Sequence, residues 1–157
     1  MGLLDNRIAL VTGAGQGVGQ GIAFALAAEG ARVAVTGRTL AKLENTVAEI
    51  ERRGGTALPV QCEVKSLESL QSCVKTVADH FGGINILVNN AQEVPNGELF
   101  KVSDEAFEAG FQSGPLATMR LMKLCYPYLK GDGSIVNLAS SATKRWDMSG
   151  YGAYAAV

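Results

Sequence analysis

Two hydrophobic spacings alternate along the chain. Short runs of β-branched and apolar residues recur, and each is followed by a longer segment in which apolar residues return every three or four positions. The short runs predict strands and the longer segments predict amphipathic helices. The predicted strands are residues 7–12, 32–36, 56–61, 84–88 and 133–138.

Glycines and capping residues mark the ends of the predicted helices, which cover residues 18–29, 40–53, 66–81 and 104–129. Ser66 is a typical helix N-cap, and Leu43, Val47 and Ile50 share one face of the second helix. Gly114 and Pro115 should interrupt the last helix. Repeated strand–helix units with nearly apolar strands predict an α/β fold, in which helices cover both faces of a doubly wound parallel sheet in one domain over residues 1–157.

A glycine-rich turn joins the first predicted strand to the first predicted helix. Gly13, Gly15, Gly17 and Gly19 lie in it, although Val18 stands where a strict Gly-x-Gly-x-x-Gly pattern has its third glycine. Bare backbone N–H groups at a helix N-terminus bind phosphate, and glycines let the pyrophosphate approach. The turn therefore predicts a dinucleotide site, and the alternative is a flexible loop without a ligand.

The residues after the second strand bear on which dinucleotide binds. A carboxylate here usually bonds the adenosine ribose of NAD, but the chain has Gly37 followed by Arg38. A guanidinium binds a 2′-phosphate, so NADP(H) is favoured over NAD(H). The alternative is a solvated Arg38, and Gln16 holds the place in the glycine turn where many phosphate sites have a second cation.

Polar residues also follow the third and fourth strands, at the edge where ligands bind in such sheets. Glu63 and Val64 are placed to meet the adenine, although Glu63 could instead cap the next helix. Asn89, Asn90 and Ala91 follow the fourth strand. Their carboxamides could bind backbone and ribose hydroxyls, and the alternative for Asn89 is a structural role in the turn.

A hydroxyl and a phenol complete the candidate chemistry. Ser141 follows the fifth strand, and Tyr154 lies thirteen positions further on. A hydroxyl that binds a carbonyl and a phenol that transfers a proton suit ketone–alcohol interconversion. We expect residues 92–100 and 142–150, which include Trp146 and Met148, to line the substrate entrance.

Together these motifs resemble the classical short-chain dehydrogenase/reductase family, and more generally its 3-oxoacyl-carrier reductases. The four motifs that carry the likeness are the turn from Thr12 to Gly19, Asn89-Asn90-Ala91, Ser141 and Tyr154. The resemblance implies a Rossmann fold, a nicotinamide cofactor, Tyr154 as general acid/base and Ser141 as the group that polarises the substrate oxygen. The cofactor-binding residues expected are Gly13, Gly15, Gln16, Gly17, Val18, Gly19, Arg38, Glu63, Val64, Asn90 and Ala91.

The chain departs from the family pattern at three places. The family motif is Tyr-x-x-x-Lys, but the sequence stops at Val157, one position short of the lysine. The family asparagine in the helix before the fifth strand falls at about Gly114, and Gln92 replaces the glycine that ends the Asn-Asn-Ala-Gly turn. We therefore expect the N-terminal part of a longer enzyme, without its last strands. The alternative is a nucleotide-binding module without turnover.

The overall composition limits the classes of binding partner that the chain is expected to have. The formal net charge is −1 and the sequence pI is about 5.8, which argues against nucleic acid. Neither a membrane-spanning apolar run nor a secretory signal is evident. Three separated cysteines and a single histidine indicate a reducing cytoplasm and no metal site. The resemblance implies a small carbonyl or alcohol substrate and, at full length, a homodimer or homotetramer.

Overall fold

Five parallel strands form one sheet in a computed structural model that describes residues 2–129, 131–141 and 150–157. The strands are β1 (Ile8–Thr12), β2 (Arg32–Gly37), β3 (Thr56–Gln61), β4 (Ile86–Asn89) and β5 (Ser134–Asn137). Their order across the sheet is β3-β2-β1-β4-β5. The order reverses next to β1, so the loops after β1 and β4 diverge and leave a crevice at the carboxyl edge.

The helices are α1 (Gly17–Ala28), α2 (Leu40–Arg52), α3 (Leu67–Phe81), α4 (Asp104–Phe111) and α5 (Ala117–Cys125). Ser66 caps α3, as predicted, because its side chain accepts a hydrogen bond from the backbone N–H of Ser69. Single 3-10 turns cover Leu99–Lys101 and Tyr154–Ala156. Among the described helices, none combines the length and the apolar character needed to cross a bilayer.

Alternate residues of β1 enter two separate cores. Ala9 and Val11 pack with the helices α1 and α2, whereas Ile8 and Leu10 pack with α3 and α5. Strand β1 is therefore buried on both faces, as its apolar sequence predicts, whereas the edge strand β5 is exposed along its whole length. Leu43, Val47 and Ile50 of α2 lie in the first core; the buried free cysteines Cys62, Cys73 and Cys125 lie in the second. This confirms the predicted doubly wound sheet and the predicted α2 face.

The predicted element boundaries needed two larger corrections. The fourth strand begins at Ile86 rather than at residue 84, although Ile84 is buried. The long last helix is three segments, because a π-helical stretch, Gln112–Leu116, separates α4 from α5, and it ends at Cys125 rather than at residue 129. Pro115 cannot donate a backbone hydrogen bond. Within this stretch the Ser113 hydroxyl donates a hydrogen bond to the carbonyl oxygen of Ala109.

Candidate functional site

The glycine turn makes a tight connection between β1 and α1. Gly13 and Gly17 have φ angles of 66° and 59°, in the left-handed region that favours glycine. A Cβ on Gly19 would lie 2.5 Å from both the Asn90 side chain and the Gly13 carbonyl oxygen. Helix α1 begins at Gly17, so its free N–H groups face the turn and can receive an anion.

One hydroxyl ties this turn to the segment after β4. Thr12 Oγ1 accepts hydrogen bonds from the backbone N–H groups of Asn90, at 2.9 Å, and Ala91, at 3.0 Å. It also donates to the carbonyl oxygen of Val88. The Asn90 carboxamide donates in turn to the carbonyl oxygens of Thr12, at 2.8 Å, and Gly13. The two loops at the crevice are thus fixed to each other by the protein itself.

A cleft of about 440 Å³ opens at the carboxyl edge of the sheet. All of the residues predicted to bind the cofactor line it, and these are Gly13, Gly15, Gln16, Gly17, Val18, Gly19, Arg38, Glu63, Val64, Asn90 and Ala91. Their contacts with a cofactor stay a prediction. The cleft also includes residues that sequence analysis did not single out as ligands, notably Lys42 and Glu93.

Lys42 brings a cation to the glycine turn from α2. Its Nζ donates to Gln16 Oε1 at 2.5 Å, and its Cβ lies 3.1 Å from the position of a Cβ on Gly15. The glycine turn therefore has a positive charge nearby, although Gln16 itself is uncharged.

Arg38 is paired with carboxylates. Its Nη1 donates to Glu93 Oε1 at 2.7 Å and lies 3.9 Å from Glu63 Oε2. Glu63 Oε1 accepts a hydrogen bond from the backbone N–H of Lys65. The helix-capping alternative for Glu63 is wrong, since Ser66 is the α3 cap. The alternative of a solvated Arg38 is correct only in part, because the side chain is 61% exposed but ion-paired.

Gln92 and Gly114, two of the departures from the family pattern, lie next to each other in the structure. A Cβ on Gly114 would lie 3.0 Å from Nε2 of Gln92, so the glutamine side chain fills the space beside the glycine. The adjacent Ser113 is 2% exposed, and its hydroxyl accepts a hydrogen bond from the Glu93 backbone N–H at 2.8 Å. The π-helical segment thus anchors the loop that carries both Gln92 and Glu93.

Asn89 has the structural role that the sequence left open. Its Nδ2 donates to Asn137 Oδ1 at 2.8 Å, across the register of β4 and β5. Its side chain is buried and is not among the cleft residues. The carboxamide therefore joins two strands, whereas Asn90 serves the cleft.

The two predicted catalytic residues lie in the last part of the described chain. Ser141 is exposed just beyond β5, and Tyr154 is half-buried at the start of a 3-10 turn with its ring 6.3 Å from that of Tyr151. Neither of these described residues lines the cleft. Their catalytic roles stay predictions, and Trp146 and Met148 of the expected entrance lie outside the described residues.

Two relatives that are similar in sequence to this chain are named dehydrogenases. The chain is 40% identical over 151 residues to a 12alpha-hydroxysteroid dehydrogenase of Clostridium sp., covering 90% of this chain and 58% of that protein. It is 36% identical over 145 residues to galactitol 2-dehydrogenase of Agrobacterium fabrum, covering 90% and 56%.

Two solved structures share the fold across 98% of this chain. A short chain dehydrogenase from Burkholderia cenocepacia in complex with NADP has a TM-score of 0.92, with 34% identity and 63% of its own chain covered. A 7alpha-hydroxysteroid dehydrogenase complexed with NADH and 7-oxo glycochenodeoxycholic acid has a TM-score of 0.91, with 28% identity and 60% covered.

The family assignment rests on nearly the whole sequence. The chain spans less than two thirds of the length of these relatives. The model of the short chain dehydrogenase family matches residues 7–157. This match covers the glycine turn, the asparagine pair and both predicted catalytic residues. The chain therefore belongs to the short-chain dehydrogenase family.

Proposed function

We propose that this chain forms the nucleotide-binding part of an NADP(H)-dependent oxidoreductase that interconverts a ketone and a secondary alcohol. When bound, the nicotinamide supplies or accepts the hydride. Tyr154 gives or takes the hydroxyl proton, and Ser141 hydrogen-bonds the substrate oxygen. The dehydrogenases of a 12alpha-hydroxysteroid and of galactitol among its relatives support this reaction class.

The glycine cradle is the observation that carries the proposal. The turn presents free N–H groups at the start of α1, and added side chains at Gly13 or Gly19 would collide with Asn90. Nothing in the described part of the chain lies within 4 Å of a Cβ placed on Gly17, so that side of the turn is open. A pyrophosphate fits such a cradle.

The preference for NADP(H) is supported by two cations on the walls of the cleft. Arg38 follows β2 at the place where an NAD site usually has a carboxylate, and Lys42, in the first turn of α2, lies beside Gln16. A guanidinium and an ammonium both favour a phosphate dianion. One related structure contains NADP and another contains NADH, so the relatives do not decide between the two cofactors. The proposed preference therefore rests on the residues of this chain.

Nucleotide titration tests the binding half of the proposal. We expect Arg38→Ala to weaken NADPH binding by about ten-fold or more, the effect of losing charge-assisted hydrogen bonds, and to leave NADH binding nearly unchanged. Arg52→Ala is the matched control, because Arg52 is an exposed α2 arginine that pairs with Glu49 outside the cleft. An unchanged ratio of NADPH to NADH affinity would refute the role of Arg38. Absence of binding at millimolar dinucleotide would refute the function.

Two tyrosine variants of the whole protein test the proposed catalytic role of Tyr154. Tyr154→Phe should abolish turnover of a ketone while the Kd for NADPH stays within two-fold, about 0.4 kcal/mol. Tyr151→Phe is the control, since this neighbouring phenol is 40% exposed and its ring lies 6.3 Å from that of Tyr154. Equal activity of the two variants would exclude Tyr154 as the acid/base.

A further inference from the structure

An ion pair crosses the crevice in which the nucleotide is proposed to bind. Arg38 follows β2 and Glu93 follows β4, and β1 lies between these strands in the sheet. The 2.7 Å hydrogen bond from Arg38 Nη1 to Glu93 Oε1 therefore passes over the carboxyl end of β1. That end is where the glycine turn begins, so the pair spans the mouth of the cleft.

Glu93 is held in this position by groups other than Arg38. Its backbone N–H donates to the buried Ser113 hydroxyl at 2.8 Å. Lys65 Nζ lies 3.1 Å from both of its carboxylate oxygens, and the Glu93 side chain is 33% exposed. The carboxylate is thus fixed at the cleft and brings a negative charge to the arginine.

We infer that Glu93 sets the affinity for the phosphorylated dinucleotide by competing with its 2′-phosphate for Arg38. The inference rests on the proposed function. A carboxylate and a phosphate are alternative acceptors for the same guanidinium fork. Two cations, Arg38 and Lys65, lie beside two carboxylates, Glu63 and Glu93. These four side chains together carry no net charge. Removal of the Glu93 charge leaves one net positive charge for the phosphate.

The backbone positions of Arg38 and Glu93 are held by hydrogen bonds other than the ion pair between their side chains. Gln61 Nε2 donates to the Arg38 carbonyl oxygen at 2.8 Å, and the backbone N–H of Cys62 donates to the carbonyl oxygen of Gly37 at 2.8 Å. Ser113 holds the Glu93 backbone in the same way. Glu93→Gln therefore changes the charge at the cleft and leaves its walls in place.

Calorimetric titration with NADPH, NADH and 2′,5′-ADP tests the inference in four proteins: wild type, Glu93→Gln, Arg38→Ala and the double variant. We expect Glu93→Gln to tighten NADPH and 2′,5′-ADP binding by about two- to five-fold, as for the loss of an exposed ion pair. Binding of NADH should change by less than about two-fold, because NADH has no 2′-phosphate to take the arginine. In the Arg38→Ala background the gain should disappear.

The control is Glu98→Gln. Glu98 also forms an exposed ion pair in the same loop region, with Lys101 at 2.8 Å, but it does not line the cleft. This variant should bind all three nucleotides as wild type does. Urea unfolding of each variant checks that the fold is retained.

The outcomes separate this inference from the proposed function. If NADPH binds to wild type but Glu93→Gln weakens it, or leaves the NADPH to NADH ratio unchanged, only the competition is refuted. A gain that persists in the Arg38→Ala background refutes it as well. If wild type binds none of the three nucleotides, the proposed function and the competition fail together.

Discussion

Replacement of Thr12 by valine tests how the cleft is held together. Valine has the shape of threonine without the hydroxyl, and Thr12 is 2% exposed, so the change removes hydrogen bonds with little change in packing. The variant deprives the backbone N–H groups of Asn90 and Ala91 of their acceptor and the Val88 carbonyl of a donor. The two loops at the crevice would then lose the hydroxyl that joins them and keep only the bonds from the Asn90 carboxamide to the carbonyl oxygens of residues 12 and 13.

The expected loss of stability follows from these contacts. Each buried donor left without a partner costs about 1–3 kcal/mol. Asn90 and Ala91 are half-buried, so water can reach part of this region and the lower half of that range applies to each. Together the lost bonds should lower the free energy of unfolding by about 2–4 kcal/mol.

Thr36→Val is the matched control. Thr36 is 0% exposed, and its hydroxyl donates only to the carbonyl oxygen of Val11, at 3.1 Å, among the contacts that the structure describes. It should cost about 1 kcal/mol. Urea unfolding compares the two variants, provided that their m-values match wild type. Equal losses, or a loss below about 1 kcal/mol for Thr12→Val, would refute this account of the crevice.

Two further changes probe the glycine turn and the surface of α2. Gly19→Ala should destabilise the fold by about 1–3 kcal/mol, because the added Cβ would collide with Asn90. Gly21→Ala lies on open helix surface and should stabilise the fold by about 0.5–1 kcal/mol in the same unfolding assay. Equal effects of the two variants would exclude the steric explanation. Hydrogen bonds from Arg52 and its neighbour lower the pKa of Glu49 to about 2, so this carboxylate favours the fold above its ordinary pKa of 4.5 and loses that effect as the pH falls toward 2. An NMR titration of Glu49 should show the low midpoint in wild type and a midpoint closer to 4.5 in Arg52→Ala; identical midpoints would rule out the arginine as the cause.

The sequence predicts those parts of the site that depend on local order along the chain. The glycine turn was found because a strand, glycines and a helix follow one another, and its residues do line the cleft. The interruption of the last helix was also predicted from local order, because Pro115 lacks an N–H.

Contacts between distant segments were not predictable in the same way. The pairing of Glu93 with Arg38 joins residues 55 positions apart, and it forms because β2 and β4 flank β1 and end at the same edge of the sheet. Nothing in the spacing around Glu93 signals this partner. The contact between Lys42 and Gln16 likewise requires the packing of α2 beside the turn, which sequence periodicity alone does not specify.

The Thr12 hydroxyl also affects the thermodynamics of ligand association. Because it and the Asn90 carboxamide order the glycine turn through protein groups alone, the turn's conformational entropy is lost when the chain folds. A pyrophosphate that arrives later meets an ordered receptor and does not have to immobilise it again, so more of its contact energy becomes affinity.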